Sequence, residues 1–146
     1  MNGCVWKACI FVGILAAGAI QSTGQTVGES VLSTAETAAI NRQIATLHSV
    51  AEREMANEWT DAKKVAETLC RPAALSAIKR KIAGVDRVFL GTDDPKTLNL
   101  ESNQRLTGTG SARAPSGWQD FTFICELDPA TAKVTSFRPR LTPASN

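Results

Sequence analysis

Two hydrophobic periods run along this chain, and the switch from one to the other divides it in half. Ile40, Ile44, Leu47, Ala51 and Met55 recur at steps of three or four, the spacing of a helix with one buried stripe. Arg42, Gln43, Glu52, Arg53 and Asn57 fall on the opposite side. Ser33 and Glu36 stand at capping-box spacing, in which hydroxyl and carboxylate each satisfy an orphan backbone N–H, so the helix is expected to start there. The same phase continues through Ala62, Val65, Ala66 and Leu69. It allows one long helix or two joined near Thr60-Asp61, and two are preferred. Pro72 is expected to interrupt the pattern and to sit in the first turn of a further helix, where its missing N–H costs nothing. Ala73, Ala74, Ala77, Ile78 and Ile82 carry that helix to Gly84, and Lys79-Arg80-Lys81 complement its C-terminal dipole.

Beyond Gly84 the period shortens to two. Val85 to Leu90 reads as a short strand, closed by Gly91 and the turn signal Asp93-Asp94-Pro95. Leu98 to Arg105 is ambiguous. Leu106 to Ala114 predicts an edge-like strand weakened by Gly108 and Gly110, followed by a turn at Ala114-Pro115-Ser116-Gly117. Trp118 to Leu127 is the clearest strand: Phe121, Phe123, Cys125 and Leu127 share one face, Thr122 and Glu126 the other. A turn at Asp128-Pro129-Ala130-Thr131 leads to a last strand from Ala132 to Leu141. Helices first and a meander second is the order of an α+β domain. The expected architecture is N-terminal helices packed on a three- to four-stranded antiparallel meander.

The N-terminus has another character. Met1 to Lys7 carries positive charge, Ala8 to Ile20 carries none, and Ala17-Gly18-Ala19 has the small-x-small form of a cleavage site. The uncharged run is shorter than the roughly 20 residues of a membrane-spanning helix. Residues 1–19 are therefore expected to be a secretory signal, residues 20–32 a flexible leader, residues 33–141 one α+β domain, and residues 142–146 a disordered tail. The product should be periplasmic or secreted, with no transmembrane segment after cleavage.

Four cysteines then divide two and two. Cys4 and Cys9 fall in the signal, whereas Cys70 and Cys125 fall in a helix pattern and a strand pattern. An exported chain left with two cysteines suggests one disulfide, which would tie helix to sheet. Two buried free thiols would look the same in sequence. A redox-catalytic pair is disfavoured, since such pairs usually stand close, as in C-x-x-C.

Charge removes one class of partner. The 146 residues hold 16 basic and 14 acidic side chains, and of these only Lys7 lies in the signal, so the remainder is close to neutral. Nucleic-acid binding usually requires a strongly basic face. Tyrosine is absent and aromatics are few, which supplies little for base stacking.

A set of short segments resembles a family. Cys70-Arg71-Pro72-Ala73-Ala74-Leu75, Val85-Asp86-Arg87-Val88, Gly108-Thr109-Gly110-Ser111-Ala112-Arg113, Trp118 through Cys125, and Lys133-Val134-Thr135-Ser136-Phe137 together look like a bacterial exported family catalogued as domain of unknown function 930. The likeness covers about residues 65–141. It implies location and domain extent, and no activity or site residues.

Candidate chemistry is thin. His48, the single histidine, has only Glu52 as an acid–base or ligand partner one turn on. One histidine and a bonded cysteine pair leave a zinc site short of ligands, and no cofactor or metal is expected. A Ser-His-Asp triad would need His48 to reach a serine such as Ser111, without a G-x-S-x-G elbow. Asp93-Asp94 lacks EF-hand spacing. Gly108-Thr109-Gly110-Ser111 lacks the lysine and helix of a phosphate loop; a bulged strand, or one approached closely by another backbone, fits better. Asp120 and Glu126 bracket the best strand and would be the acid–base pair of a small envelope hydrolase. Arg113, Arg138 and Arg140 flank that strand and would hold a carboxylate or phosphate, or else pair with Glu126 and Asp120 on a solvated face. The favoured function is a non-enzymatic binding module for a protein or cell-envelope component, using the open sheet face or the Gly108–Gly117 region, with Arg113, Trp118, Arg138 and Arg140 as contact residues. The alternative is the hydrolase with Asp120, Glu126 or His48.

Overall fold

The computed structural model describes residues 31–143; the expected signal sequence and most of the leader lie outside this range. Helices form one layer and an antiparallel sheet the other, as the change of period predicts.

Helix α1 (Thr34–Ala45) begins at the expected capping box. Ser33 Oγ accepts from the Glu36 N–H, and Glu36 Oε2 accepts from the Ser33 N–H at 2.8 Å. Ser33 Oγ also donates to the Pro129 carbonyl at 2.7 Å, which docks the helix start onto the last turn of the sheet. Glu36 is wholly buried there, and its Oε1 has no hydrogen-bond partner. Leu32, expected in a flexible leader, instead packs against the core.

The helical phase does not continue through Met55. The chain breaks at Thr46–Ser49, and a second capping box, Ser49 with Glu52, starts α2 (Val50–Glu58). The break rotates the buried stripe, so Ala56 is fully enclosed while Met55 stands 62% exposed. The junction expected near Thr60-Asp61 is present: Thr60 caps α3 (Asp61–Lys64).

Pro72 sits in the first turn of a new α-helix, as expected, but does not break the helical path. A π-helical turn (Val65–Cys70) runs directly into α4 (Arg71–Lys79). In this wider turn the Arg71 N–H reaches back five residues to the Ala66 carbonyl. The chain thus passes Pro72 without the N–H an α-turn would use, and without its ring striking the preceding turn. Helix α4 ends at Lys79 with Arg80 as its C-cap, short of the stop expected at Gly84, which turns the chain toward the sheet in a left-handed conformation (φ 75°).

The sheet contains β1 (Arg87–Leu90), β2 (Leu98–Ser102), β3 (Arg105–Ala114), β4 (Gly117–Asp128) and β5 (Lys133–Leu141). Strands β1 and β2 lie end to end along the same side of β3, joined through a short 3₁₀ turn at Pro95–Thr97, so five strands make four rows in the order β1/β2, β3, β4, β5. The ambiguous stretch after Leu98 is therefore a strand. The expected edge strand, Leu106–Ala114, is interior: it pairs with β1 and β2 on one side and with β4 on the other. Its glycines answer to that crowding. A Cβ on Gly110 would lie 2.6 Å from Phe121 Cζ and 2.7 Å from the Phe89 carbonyl oxygen, and one on Gly108 would lie 2.5 Å from the Thr97 carbonyl oxygen. Close backbone approach, one of the two expectations for this run, is the reason.

Phe121, Phe123, Cys125 and Leu127 on β4 are all buried, with Val88, Leu90, Leu106 and Ala112 beside them and Ile40, Ile44, Val65, Ala74 and Ile78 from the helices above. Cys70, at the end of the π turn, bonds Cys125 across this interface (S–S 2.08 Å, Cα–Cα 6.2 Å). Thr142, expected in the disordered tail, is anchored to the strand before it, and residues 144–146 lie outside the described range. The Thr142 N–H donates to the Asp120 carbonyl at 2.9 Å, and Gln119 Nε2 donates to the Thr142 carbonyl at 2.7 Å.

Candidate functional site

The buried helix residues pack on one side of the sheet, which leaves the other side open apart from Arg71 at the β1 edge. Alternation along each strand then decides what that open face displays: Phe89 from β1, Ser111 and Arg113 from β3, Trp118, Asp120, Thr122 and Glu126 from β4, and Arg138 and Arg140 from β5.

The expected contact residues form two groups. Arg113 stands directly opposite Trp118. Arg140 stands opposite Thr122 and Arg138 opposite Ile124, two rows away from Arg113. Four residues along a strand and two strand spacings put Arg113 and Arg140 on the order of 16 Å apart in backbone position. The three arginines flank β4 as expected, but they do not converge on one anion.

Two of them already hold carboxylates. Arg113 grips Asp86 with paired bonds, Nε to Oδ1 at 3.0 Å and Nη2 to Oδ2 at 2.6 Å. This fork holds the Asp86 carboxyl below its usual range and raises the arginine further. Arg138 bonds Glu126 at 3.0 and 3.2 Å, the pairing foreseen as the plain solvated-face arrangement. Asp120 takes a bond from the Ser111 hydroxyl at 2.5 Å instead. Arg140 and Arg87 have no ion pair among the described residues.

The hydrolase geometry is not assembled. Asp120 and Glu126 lie six residues apart on one extended strand, about 20 Å by strand rise, against the roughly 5–9.5 Å that glycoside cleavage needs. His48 sits in the break between α1 and α2, next to the Ser49 cap whose backbone bond holds the Glu52 carboxyl below its usual range. Ser111 is engaged with Asp120, so no Ser111–His48 pair forms. Among the described residues no three His, Cys, Asp or Glu side chains gather into a metal site, and no helix is long and apolar enough to cross a membrane.

The aromatic end of the open face is the better-built feature. Trp118 is 60% exposed and Phe89 39% exposed. Their ring centroids lie 5.7 Å apart at a 48° tilt, reaching across β3. The Arg71 guanidinium lies 5.8 Å from the Phe89 centroid, within cation–π range. Sequence reasoning singled out Trp118 but not Phe89 or Asp86. The signal for Phe89 was present: with Val88 and Leu90 turned inward, the residue between them must turn out. Asp86 precedes the regular strand, so no periodicity marks it.

No protein-family model, curated protein or solved structure matches this chain.

Proposed function

We propose that the chain is an exported, non-enzymatic binding module that engages a protein or cell-envelope component through the open sheet face, with Trp118 and Phe89 as its anchors. The observation that carries this reading is the Phe89–Trp118 pair itself. Two large rings stand out of a face whose strands are locked from behind by a disulfide-tied core. Rigid aromatic side chains that bury large area at little entropic cost are the usual energetic centres of interfaces. The Arg113–Asp86 fork beside them supplies a polar rim already in register. The separation of Asp120 from Glu126, with each held by a neighbour, supports binding over hydrolysis. Export is part of the same proposal. A Cys70–Cys125 bond is compatible with an oxidising compartment, and the resemblance to the exported family points the same way.

The test is a crosslinking pull-down from the native compartment, with the disulfide-bonded protein as bait and Trp118→Ala beside it. The reading expects defined partners whose recovery falls at least about tenfold with Trp118→Ala, in line with the cost of losing an aromatic anchor. Equal recovery with both baits would remove the aromatic face from the interface. If Arg113→Ala and Arg138→Ala leave the recovered set unchanged, the arginines have no part in it.

A further inference from the structure

The far edge of the sheet carries a feature independent of the Trp118 face. Strand β5 pairs only with β4, so one side of its backbone is unpaired within the sheet. The parity of that side follows from one bond. The Thr142 N–H reaches the Asp120 carbonyl, which makes Thr122/Arg140 and Ile124/Arg138 the hydrogen-bonded pairs, two residues apart in turn. Phe137, Pro139 and Leu141 therefore turn their backbone groups away from the sheet. This explains why a proline is accommodated mid-strand: its missing N–H falls on the outward side.

Beside this edge runs the end of α4. Ala77, Arg80, Lys81, Phe137, Arg138 and Pro139 line a groove of about 440 Å³. Its floor is apolar and its rim cationic, with no acidic side chain in the lining. Arg80, Lys81, Arg138 and Arg140 are all exposed. Among the described residues only Arg138 of the four has an acidic partner, Glu126. In a chain with 16 basic and 14 acidic residues, this edge concentrates unbalanced positive charge.

We propose that the β5 edge accepts an extended acidic polypeptide segment as a further strand. Successive side chains of an added strand point to opposite faces. One set meets Arg80 and Lys81 on the helix side, the other Arg138 and Arg140 on the open side, and both sides call for carboxylates. Phe137 and Leu141 each offer an N–H and a carbonyl, and Pro139 offers a carbonyl alone, so strand addition has partners on alternate residues. The same cations make a second copy of this chain a poor occupant, because two such edges would repel each other.

The probe is a phage-displayed random 12-residue peptide library, selected against the full disulfide-bonded chain at low salt. Selection should enrich acidic sequences. For an enriched peptide, Arg80→Glu combined with Lys81→Glu should weaken binding at least tenfold, with the fold of the variant checked by circular dichroism. N-methylation along the peptide should abolish binding at every second residue and be tolerated between. The amides of Phe137 and Leu141 should gain protection from hydrogen exchange. Absence of acidic enrichment, or equal binding to the reversed-charge variant, overturns the proposal. Loss of affinity without alternation in the N-methyl scan, or equal competition by polyphosphate, overturns it in favour of a nonspecific polyanion surface. Binding lost with Trp118→Ala but indifferent to Arg80 and Lys81 overturns it while leaving the aromatic-face reading intact.

Discussion

The two faces of β4 share one strand and behave as different materials. Inward, Phe121, Phe123, Cys125 and Leu127 are enclosed, and one of them is covalently joined to a helix. Outward, Trp118 and Thr122 are exposed, and Asp120 and Glu126 bond to the side chains of Ser111 and Arg138 on the neighbouring strands. Inner contacts remove area from water and carry stability. Outer contacts are water-exchanged ion pairs and hydroxyl bonds that carry little, so that face is free to be shaped by recognition. The proposed binding role fits this division, since the other face and the disulfide hold the fold.

The strongest way to break this contrast is to remove the covalent tie. The Cys70–Cys125 bond closes a loop of 55 residues, for which chain entropy gives about 4 kcal/mol. Replacing both cysteines by alanine should lower the urea-derived stability by that order. A loss under about 1 kcal/mol would show that packing alone holds helix to sheet. Next is Gly110→Ala, where a methyl group would strike the Phe121 ring and the Phe89 carbonyl. The ring can shift but the carbonyl belongs to a paired strand, so about 1–3 kcal/mol should be lost. Unchanged thermal stability would mean that β1 yields more readily than its pairing suggests. Ser33→Ala removes the α1 cap and the bond to Pro129 and should cost about 1 kcal/mol. Faster hydrogen exchange confined to α1 and the Asp128–Ala132 turn would locate the effect.

The smallest expected effect belongs to the outer face and depends on pH. Asp86 lies below its usual range because Arg113 bonds it, and Asp128 because the Thr131 hydroxyl and the Ala130 N–H do. A carboxyl lowered in the folded state contributes stability above its unfolded value, about pH 4, and loses it as pH falls through the lower folded value. Stability should therefore decline on the acid side of about pH 4. Asp86→Asn should remove its share of that slope and leave the neutral-pH fold intact. Carboxyl-carbon titration placing Asp86 at or above its usual range would contradict the fork geometry.

Much of this was legible residue by residue. The Ser33–Glu36 box and the alternation of β4 both state local rules that no distant contact had to modify. The errors share a cause. Apolar spacing alone makes the helix pattern continuous through Leu47, Ala51 and Met55, whereas Ser49-x-x-Glu52 is a second box as clear as the first and starts a new helix. The place of Pro72 in a first turn follows a local rule, but no such rule announces the π turn that carries the helical path past it. The glycines of Leu106–Ala114 suggest an edge strand, whereas they are what let neighbouring strands close in on it. For the candidate site, Trp118 was marked by its residue type. Its companion Phe89 and the separation of Arg113 from Arg140 depend on strand register, which is a property of pairs of segments.

Taken alone, the amino-acid order determined the layer to which each segment belongs, the extents of the last three strands and the pair of cysteines available for bonding, because propensity, capping and periodicity act within a few residues. Tertiary structure decided which strand lies inside, which arginines are already satisfied and which aromatic rings meet. Those outcomes depend on groups distant in sequence competing for the same space and the same partners.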